Sequence, residues 1–332
     1  MSSPSIGVTL FSFTRDYRKH RYTFEELIRK VSERNLGGAL EIVGFQSLRD
    51  YPNVSDETAR RFRRLLDEVG LRPSALSGNI DAARLGARMM THDETVEVIE
   101  AQIESARKLG YPVLKVQFGA SADALEAALP KAERANVKLA VEVHSPHHVR
   151  HPTMLALRER FEKLESGFLG FVPDFGASMN AIPRSFLDHW RRQPDAPSEL
   201  IDFTVGAWGR AHSGEADAFV EREQVLKKAI EMNAQTTVRL AWSAMTLYGH
   251  QRPADWLEIM PLVFHVHAKF YEIDDAGNEP SIAYDELVRT FRDGGYQGVL
   301  SSEWEGAAFL PDADALEMVE RQQSLVSRIL AS

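Results

Sequence analysis

Eight short runs of β-forming residues recur along the chain, and a stretch with helical features follows each run. They span residues 5–11, 38–44, 72–78, 112–118, 137–143, 168–175, 263–270 and 298–304. Most of the runs start about 25–40 residues apart, which is the length of one strand–helix unit. Eight such units in succession predict an α/β fold of the (β/α)8 TIM-barrel type, which takes about 250 residues.

Helix boundaries between these runs carry recognisable signals. Residues 23–26 read Thr-Phe-Glu-Glu and residues 91–94 read Thr-His-Asp-Glu. Both are capping boxes, in which the threonine oxygen and the glutamate carboxylate satisfy free backbone donors at a helix start. Gly70 and Gly110 stand where the C-terminal caps of two helices belong.

The chain has 332 residues and therefore exceeds the length of a plain barrel. Most of the excess is one insertion, at about 176–262, between the sixth and seventh predicted strands. This insertion contains several tryptophans and prolines and is predicted to form extra helices and loops over one end of the barrel. No linker or run of like charge divides the chain, so we expect a single domain over residues 1–332.

Composition excludes several classes of function. The chain has 39 basic and 48 acidic residues, and this net charge of −9 argues against a broad basic surface for nucleic acid. It has no cysteine, which excludes disulfides and thiolate metal sites. Its N-terminus lacks a signal-peptide pattern, and no stretch approaches the ~18–20 apolar residues that span a bilayer. We therefore expect a cytoplasmic protein that binds neither nucleic acid nor membrane.

The stretch FHVHAKF, at 264–270, alternates apolar and polar residues. Strand side chains alternate between two faces, and in a barrel one face meets the outer helices while the other meets the interior. Parity then predicts a polar inward set: Glu41, Lys115, Gln117, Glu142, His144, Asp174, His265, His267, Lys269, Glu303 and Glu305. Unpaired charges are costly to bury, so these residues must be paired, ligate a metal or line a wet pocket.

Four inward residues belong to the neighbouring strands five to eight, near the ends where barrel active sites form. They are Glu142, Asp174, His267 and Glu303. Three carboxylates that converge at one height need a cation, and the set suits Mn²⁺ or Mg²⁺, while Co²⁺, Zn²⁺ or Fe²⁺ are also compatible. Each residue alone has an ordinary structural alternative, but matching parity on four adjacent strands favours a joint site. His265 competes with His267 as the ligand; it lies one pleat deeper, so we expect it to support the site.

The motifs GVTLFSF, VEVHSP, VPDFG, HVHAKF and SSEWEG occur in this order along the chain. With them the chain resembles, over essentially its whole length, the xylose isomerase-like, or sugar phosphate isomerase/epimerase, barrels. The resemblance implies a divalent metal held by the Glu, Asp, His and Glu of strands five to eight, which carries over to the four residues above. Many epimerases of the family have a second catalytic glutamate, and some have an Asp-x-x-His element near strand six; this chain matches neither.

Within the family, HVHAKFYEID followed by SSEWEG is most similar to the α-type subunits of bacterial C-glycoside deglycosylases. That resemblance implies a 3-oxo-glucoside substrate and a small β-type partner subunit, for which the insertion offers a docking surface. In this reaction the 3-keto group acidifies the C2 proton, a base removes it, and the C1–aglycone bond breaks by β-elimination. A sugar isomerase or epimerase begins with the same proton abstraction next to a carbonyl, so the sequence leaves both reactions open.

His144 is the candidate base, because it lies two residues beyond Glu142 on the same face, and histidine titrates near neutral pH. The alternative is a supporting histidine at the rim. Lys269 is the candidate group for holding a substrate oxygen or stabilising an enolate. Its alternative is an ion pair with Glu303 or Glu305.

Glu41, Gln117 and Glu305 are the candidate substrate contacts. For Glu41 and Gln117, a hydrogen bond within the barrel wall is an equal alternative. Three more histidines stand in SPHHVRHP, at positions 147, 148 and 151. Their spacing suggests a second metal site, but a loop that runs into a helix favours the rim of the active site.

Two other classes of function compete with a sugar enzyme. A barrel endonuclease acting on abasic DNA would need several histidine-bound metal ions and a basic face, and the net charge of −9 argues against it. A non-catalytic sugar-binding barrel would keep the metal and turn over no ketosugar.

Overall fold

The computed structural model describes residues 3–81, 83, 86, 88–117, 120–194, 196–234 and 237–332. Within these residues eight parallel strands form one sheet. The strands are Ser5–Thr9 (β1), Ala39–Val43 (β2), Arg72–Ser77 (β3), Val113–Val116 (β4), Lys138–Val143 (β5), Leu169–Pro173 (β6), Val266–Phe270 (β7) and Val299–Trp304 (β8).

The sheet closes into a nearly complete barrel. Each strand from β1 to β5 pairs with the next along the chain, and β8 pairs with both β1 and β7. Parallel bridges Phe171–Val263 and Asp174–His267 join the β6 and β7 sides. The predicted (β/α)8 fold class is therefore confirmed.

Every predicted run contains one strand, although the strands are shorter than the runs. β1 stops at Thr9 because the Thr9 hydroxyl accepts a hydrogen bond from the Phe11 amide and caps a 3₁₀ turn, Leu10–Phe13. β6 stops at Pro173 because the Asp174 carboxylate accepts from the Gly176 amide at 2.6 Å. Residue 118, the end of the fourth run, lies outside the described residues.

The α-helices of the described chain are Thr14–Arg18 (α1), Phe24–Glu33 (α2), Gly44–Ser47 (α3), Asp56–Val69 (α4), His92–Leu109 (α5), Ala122–Ala135 (α6), Pro152–Leu164 (α7), Arg184–Arg191 (α8), Ser198–Ser213 (α9), Ala218–Glu231 (α10), Val238–Leu247 (α11), Tyr284–Asp293 (α12) and Ala315–Ala331 (α13). Both predicted capping boxes are present, at Thr23 and Thr91. Gly70 and Gly110 end α4 and α5 in the left-handed conformation that glycine tolerates, as predicted. In the described part of the chain, no helix is long and apolar enough to cross a membrane.

Between β6 and β7 the chain forms α8 to α11, flanked by two 3₁₀ segments, Phe175–Ala177 and Pro253–Leu262. Buried hydrogen bonds fix this region against the barrel. Trp208 donates its indole N–H to the Tyr248 carbonyl at 2.9 Å, and the Ser145 hydroxyl, just beyond β5, donates to the Thr246 carbonyl at 2.8 Å. The insertion therefore packs beside the C-terminal end of β5.

An apolar layer fills the lower part of the barrel, toward the N-terminal ends of the strands. The Phe264 ring packs there against a layer of small side chains, Ala75, Val113, Ala140 and Val172. Gly170 makes room for this ring, since a Cβ at Gly170 would lie 2.2 Å from the Leu262 oxygen and 2.6 Å from the ring. The polar inward residues follow one pleat higher along the same strands, so a site above this floor faces the C-terminal mouth.

Candidate active site

Four strands bring the predicted ligand residues together at one level of the barrel. Glu142 lies on β5, Asp174 directly follows β6, His267 lies on β7 and Glu303 on β8. The strand pairing explains why the four residues lie near one level. Asp174 forms a bridge with His267, and Lys269, two residues beyond His267 on β7, pairs with Glu303 on β8. All four residues are buried. We call them the Glu–Asp–His–Glu cluster.

The cluster has the dimensions of a metal site. One ligand atom from each residue can be chosen so that all four lie within 4.8 Å of one another. Nδ1 of His267 lies 2.7 Å from Glu142 Oε1 and 3.3 Å from Glu303 Oε2. Asp174 Oδ2 and Glu303 Oε2 are buried and accept no aligned hydrogen bond from the described residues. Three carboxylates and one imidazole are donors that fit a hard divalent cation.

The electrostatics of the cluster also favour a bound cation. Burial lowers the pKa of His267, but the charges of Glu303, Glu41 and Glu142 outweigh it and hold that pKa well above its ordinary value. Burial raises the pKa of Glu142, but Lys115 and His267 outweigh it and hold that pKa well below its ordinary value. Glu142 therefore stays ionised beside a protonated His267. The same negative field favours a divalent cation in place of that proton.

Glu41 supports His267 from behind. Its Oε1 lies 3.0 Å from His267 Nε2, and its Oε2 lies 3.0 Å from His265 Nε2. The hydroxyls of Ser77 and Ser301 donate to the same carboxylate. Because Glu41 is fully buried and every contact is internal, its placement favours the wall hydrogen bond over the substrate contact. Such a carboxylate fixes the ring orientation of a ligating histidine and raises its basicity.

His265 lies deeper than His267 and contacts Glu41, in keeping with the supporting role predicted for it. Burial lowers the pKa of His265, and the Glu41 charge only partly offsets this. His265 and His267 share Glu41 between their Nε2 atoms. Nδ1 of His267 therefore faces the cluster, where it contacts Glu142.

Lys115 is a functional candidate that sequence reasoning left without a role. Its Nζ lies 2.9 Å from Glu142 Oε2, and both side chains are buried. Burial lowers the pKa of Lys115, but Glu142, Glu41 and Glu303 together raise it above its ordinary value. Strand parity predicted that Lys115 points inward. Its pairing with Glu142 could not be predicted, because it depends on the register between β4 and β5.

Lys269 lies among the carboxylates on the opposite side. Its Nζ is 2.6 Å from Asp174 Oδ2, 3.3 Å from Glu305 Oε1 and 3.6 Å from Glu303 Oε2. Burial lowers its pKa, but Asp174 and Glu305 outweigh it, so the ammonium keeps its charge. Lys269 therefore forms the ion pairs with Glu303 and Glu305 that were predicted as the alternative to a substrate contact. Its ammonium group also faces the cluster.

His144 follows β5 at the mouth side of the cluster. Its Nδ1 lies 2.5 Å from the Ser145 carbonyl oxygen, and its Nε2 lies 3.8 Å from Asp174 Oδ2. The side chain is 22% exposed, so a substrate can reach it from the mouth. This position keeps His144 a candidate base beside the cluster.

The remaining candidates lie farther out. Gln117 is exposed at the end of β4, whereas Glu305 is partly buried beyond β8 and pairs with Lys269.

His151 caps α7 by accepting from the Thr153 amide, and its ring contacts those of His147 and His148. In the described chain the groups sized for a metal are the Glu–Asp–His–Glu cluster and a set of Glu41, His265 and His267. The loop histidines thus stand in neither group.

Comparison with known proteins agrees with this architecture. A family model described as xylose isomerase-like TIM barrel matches residues 34–325. A Microbacterium protein named 3'-dehydrocarminate deglycosidase alpha subunit is 42% identical over 335 residues, covering 99% of this chain and 96% of that protein. An Arthrobacter globiformis C-glycoside deglycosidase alpha subunit is 38% identical over 337 residues, covering 98% and 90%. The crystal structure of a D-psicose 3-epimerase shares the fold, with a TM-score of 0.59, 11% identity and coverage of 99% and 100%.

Proposed function

The chain belongs to the xylose isomerase-like TIM barrel family, and from this premise we propose that it is the large, catalytic subunit of a metal-dependent C-glycoside deglycosylase. One observation carries the proposal: a base-type histidine, His144, faces a metal-type cluster of three carboxylates and an imidazole. The relatives named deglycosidase alpha subunits, up to 42% identical over nearly the full chain, support the reaction class.

In this proposal Glu142, Asp174, His267 and Glu303 hold one divalent ion, for which Mn²⁺ is our first choice. The oxygen-rich donor set supports Mn²⁺ or Mg²⁺, and the single imidazole keeps Co²⁺ and Zn²⁺ compatible. A bound divalent ion supplies Lewis-acid stabilisation of the negative charge that develops on the substrate. Glu41 orients the His267 ring, and Lys115 neutralises the outer oxygen of Glu142.

His144 acts as the base. The ketone of a 3-oxo-glucoside acidifies the neighbouring C2 proton, and Nε2 of His144 takes this proton. The C2–H electron pair forms the C1–C2 double bond, and the C1–aglycone bond breaks with its electron pair on the aglycone. The protonated imidazole then gives the proton to the aglycone. The products are a sugar enone and the free aglycone, with no oxidant or reductant consumed.

Lys269 and Glu305 border the cluster beside Asp174 and Glu303, with 3.3 Å between Lys269 Nζ and Glu305 Oε1. The buried ammonium supplies positive charge next to the position where the substrate oxygen becomes negative. Glu305 accepts a sugar hydroxyl from the mouth side, and Gln117 provides a further contact at the rim. Loss of these contacts weakens the binding of the sugar more than it weakens metal binding.

Isomerisation or epimerisation of a free ketose is the second candidate function. It uses the same proton abstraction, and His144 beside the cluster supports it equally. The products separate the two: a deglycosylase releases an aglycone, whereas an isomerase or epimerase returns a sugar of the same mass.

The test is a product assay on 3-oxo-C-glucosides, 3-oxo-O-glucosides and free ketoses with Mn²⁺ present. We expect aglycone release from the glycosides, and its abolition in a folded Glu303→Gln variant, since the carboxylate charge is lost. Conversion of ketoses with no aglycone release would favour the second candidate. A protein that carries metal and converts none of these sugars would favour a sugar-binding barrel.

A small β-type partner is part of the proposal, because the relatives are named alpha subunits. Five of the nine exposed large hydrophobic side chains of the described residues lie on α9 to α11: Val205, Phe219, Val220, Ile230 and Trp242. Exposed large apolar side chains on three helices that pack in succession support a protein contact surface. Co-purification from the native host tests the partner, and polar substitution of Phe219 and Ile230 tests the surface.

A further inference from the structure

The loop that carries the candidate base is fixed at two points. It comprises residues 144–151, between β5 and α7, and most of its side chains are at least partly exposed. Ser145 and Val149 are its two buried residues. Both form hydrogen bonds with one segment at the end of the insertion, residues 246–251, which we call the brace.

The first of these bonds lies next to His144. The Ser145 hydroxyl donates to the Thr246 carbonyl at 2.8 Å, and the Ser145 carbonyl oxygen lies 2.5 Å from Nδ1 of His144. The brace therefore fixes the residue whose carbonyl orients the imidazole. With Nδ1 held in this way, Nε2 faces Asp174 at 3.8 Å from its Oδ2.

The second bond fixes the far end of the loop. Oε1 of Gln251 accepts from the Val149 amide at 2.7 Å, and both residues are buried. Nε2 of Gln251 is also buried and has no hydrogen-bond partner among the described residues. An unpaired buried amide group is costly, so packing alone does not account for a glutamine at this position. What the side chain supplies is an acceptor for the loop.

The brace is also attached to the turn that carries Asp174. Gly249 donates its amide to the Gly176 carbonyl, and Gln251 donates its amide to the Ala177 carbonyl, each at 2.9 Å. The Gly176 amide in turn donates to the Asp174 carboxylate. A Cβ at Gly249 would lie 2.3 Å from the Ala177 oxygen, so a glycine permits this close approach. One segment thus holds both the base-bearing loop and the turn with the predicted ligand.

This attachment bears on proton transfer. A base must lie within hydrogen-bond reach of the proton that it removes, and a misplacement of about 1 Å lowers a rate by about 10²-fold. His144 and Asp174 follow different strands, and their side chains approach to 3.8 Å. The relative position of the two side chains therefore depends on the contacts that join the loop to the turn, and the brace makes such contacts with both.

We propose that Gln251 and Ser145 are positioning residues of the deglycosylase: through the brace they hold His144 at a fixed place beside the cluster. This inference rests on the proposed function, in which His144 removes the C2 proton. Neither residue contacts the substrate in this proposal. Their hydrogen bonds keep the loop from moving the imidazole away from the reacting carbon.

Gln251→Met tests the proposal, because methionine keeps most of the side-chain volume and removes the acceptor. With a 3-oxo-C-glucoside and Mn²⁺, we expect kcat to fall about 10–100-fold, as a displaced base implies. KM and metal content should stay unchanged. Ser145→Ala removes the other bond with the loss of a single oxygen and should lower kcat in the same direction, so it provides a second test should Gln251→Met not fold. A wild-type kcat in either folded variant would overturn the proposal.

Gln323→Met is the matched control. Gln323 is 8% exposed, as Gln251 is, and its Nε2 donates to the Gly7 carbonyl and the Ser302 hydroxyl, away from the loop. This variant loses a comparable buried amide group and should keep the wild-type kcat.

A double-mutant cycle separates positioning from a general loss of structure. If Gln251 acts through His144, then Gln251→Met should change the residual single-turnover rate of His144→Gln by less than about twofold. Multiplication of the two separate effects in the double variant would overturn the proposal, since Gln251 would then affect turnover independently of the base.

Hydrogen exchange separates this inference from the proposed function. Exchange over residues 144–151 of the full chain, measured by mass spectrometry, should be about tenfold faster in Gln251→Met than in the wild type, because the Val149 amide loses its acceptor. It should not change in Gln323→Met. Unchanged exchange in Gln251→Met would refute the positioning role while deglycosylation stands. If the wild type cleaves no glycoside, the proposed function fails, and the exchange rates still decide whether the brace holds the loop.

Discussion

Nδ1 of His144 lies 2.5 Å from the carbonyl oxygen of Ser145. A carbonyl oxygen only accepts, so the neutral ring carries its proton on Nδ1 and keeps the lone pair on Nε2. Nε2 is the nitrogen that faces the cluster, 3.8 Å from Asp174 Oδ2. The backbone thus selects the tautomer that a base requires.

Replacing His144 should therefore affect chemistry and leave the metal in place. We expect His144→Gln to lower kcat by about 10²–10⁴-fold, the usual contribution of a positioned base. Metal content, measured by elemental analysis, should equal that of the wild type. A variant that keeps wild-type kcat would show that another group removes the proton.

The metal prediction is tested by Glu142→Ala, because Glu142 contributes an oxygen to the cluster. We expect about one divalent ion per chain in the wild type and a loss of this ion in the variant. Glu305→Gln is the matched control, since Glu305 lies nearby but outside the cluster, and it should keep the ion. Absence of metal from the wild type, even after incubation with Mn²⁺, would refute the site.

The barrel floor makes a prediction about stability. Gly170→Ala introduces a methyl group 2.2 Å from the Leu262 oxygen and 2.6 Å from the Phe264 ring. The resulting overpacking should lower the free energy of unfolding by about 1–3 kcal/mol in urea titrations. At Gly167 the same change meets nothing within 4 Å, so Gly167→Ala is the control. Equal stability of the two variants would contradict the packing of Phe264 over Gly170.

His250 should make the protein sensitive to mild acid. Burial among Trp208, His212 and His148 lowers the pKa of His250 from 6.5 to about 4, chiefly by desolvation. The unfolded chain then binds a proton at a pH where the folded chain does not, so stability falls as the pH drops below 6.5 and levels off below 4. The loss at pH 5 is about 2 kcal/mol relative to neutral pH.

His250→Phe removes this proton while keeping a ring against Trp208. As the pH falls from 7.5 to 5, the free energy of unfolding of the wild type should therefore decrease more than that of the variant. Urea titrations at several pH values measure this difference and cancel the contributions of other titrating groups. A constant difference would mean that His250 has the same pKa in the folded and the unfolded chain.

Strand parity predicted much of the site, because alternation decides which side chains enter a barrel. It brought Glu142, Asp174, His267 and Glu303 into one group, and it gave His265 a deeper position than His267. It did not reveal that Lys115 pairs with Glu142 or that Glu41 lies behind His267. Those contacts depend on the stagger between strands and across the barrel, which sequence periodicity does not encode.

A cavity of about 500 Å³ beside Glu305, with mainly aromatic walls, was also beyond sequence reasoning. Its walls come from the turn after β1, the end of α11 and the segments after β7 and β8, which are far apart in the chain. Phe11 and Phe309 look like ordinary loop residues when each is read alone. Only the folded arrangement places them beside Glu305.

The hydrogen bonds of Glu41 span the chain, since they reach partners 36, 224 and 260 residues away in sequence. These partners stand on strands near both ends of the chain, and no half of the polypeptide contains all of them. His267 acquires its oriented ring only when β2 and β7 lie in the same barrel. If the cluster holds an ion, as proposed, the uptake of that ion by a refolding chain should report barrel closure and not the assembly of either half.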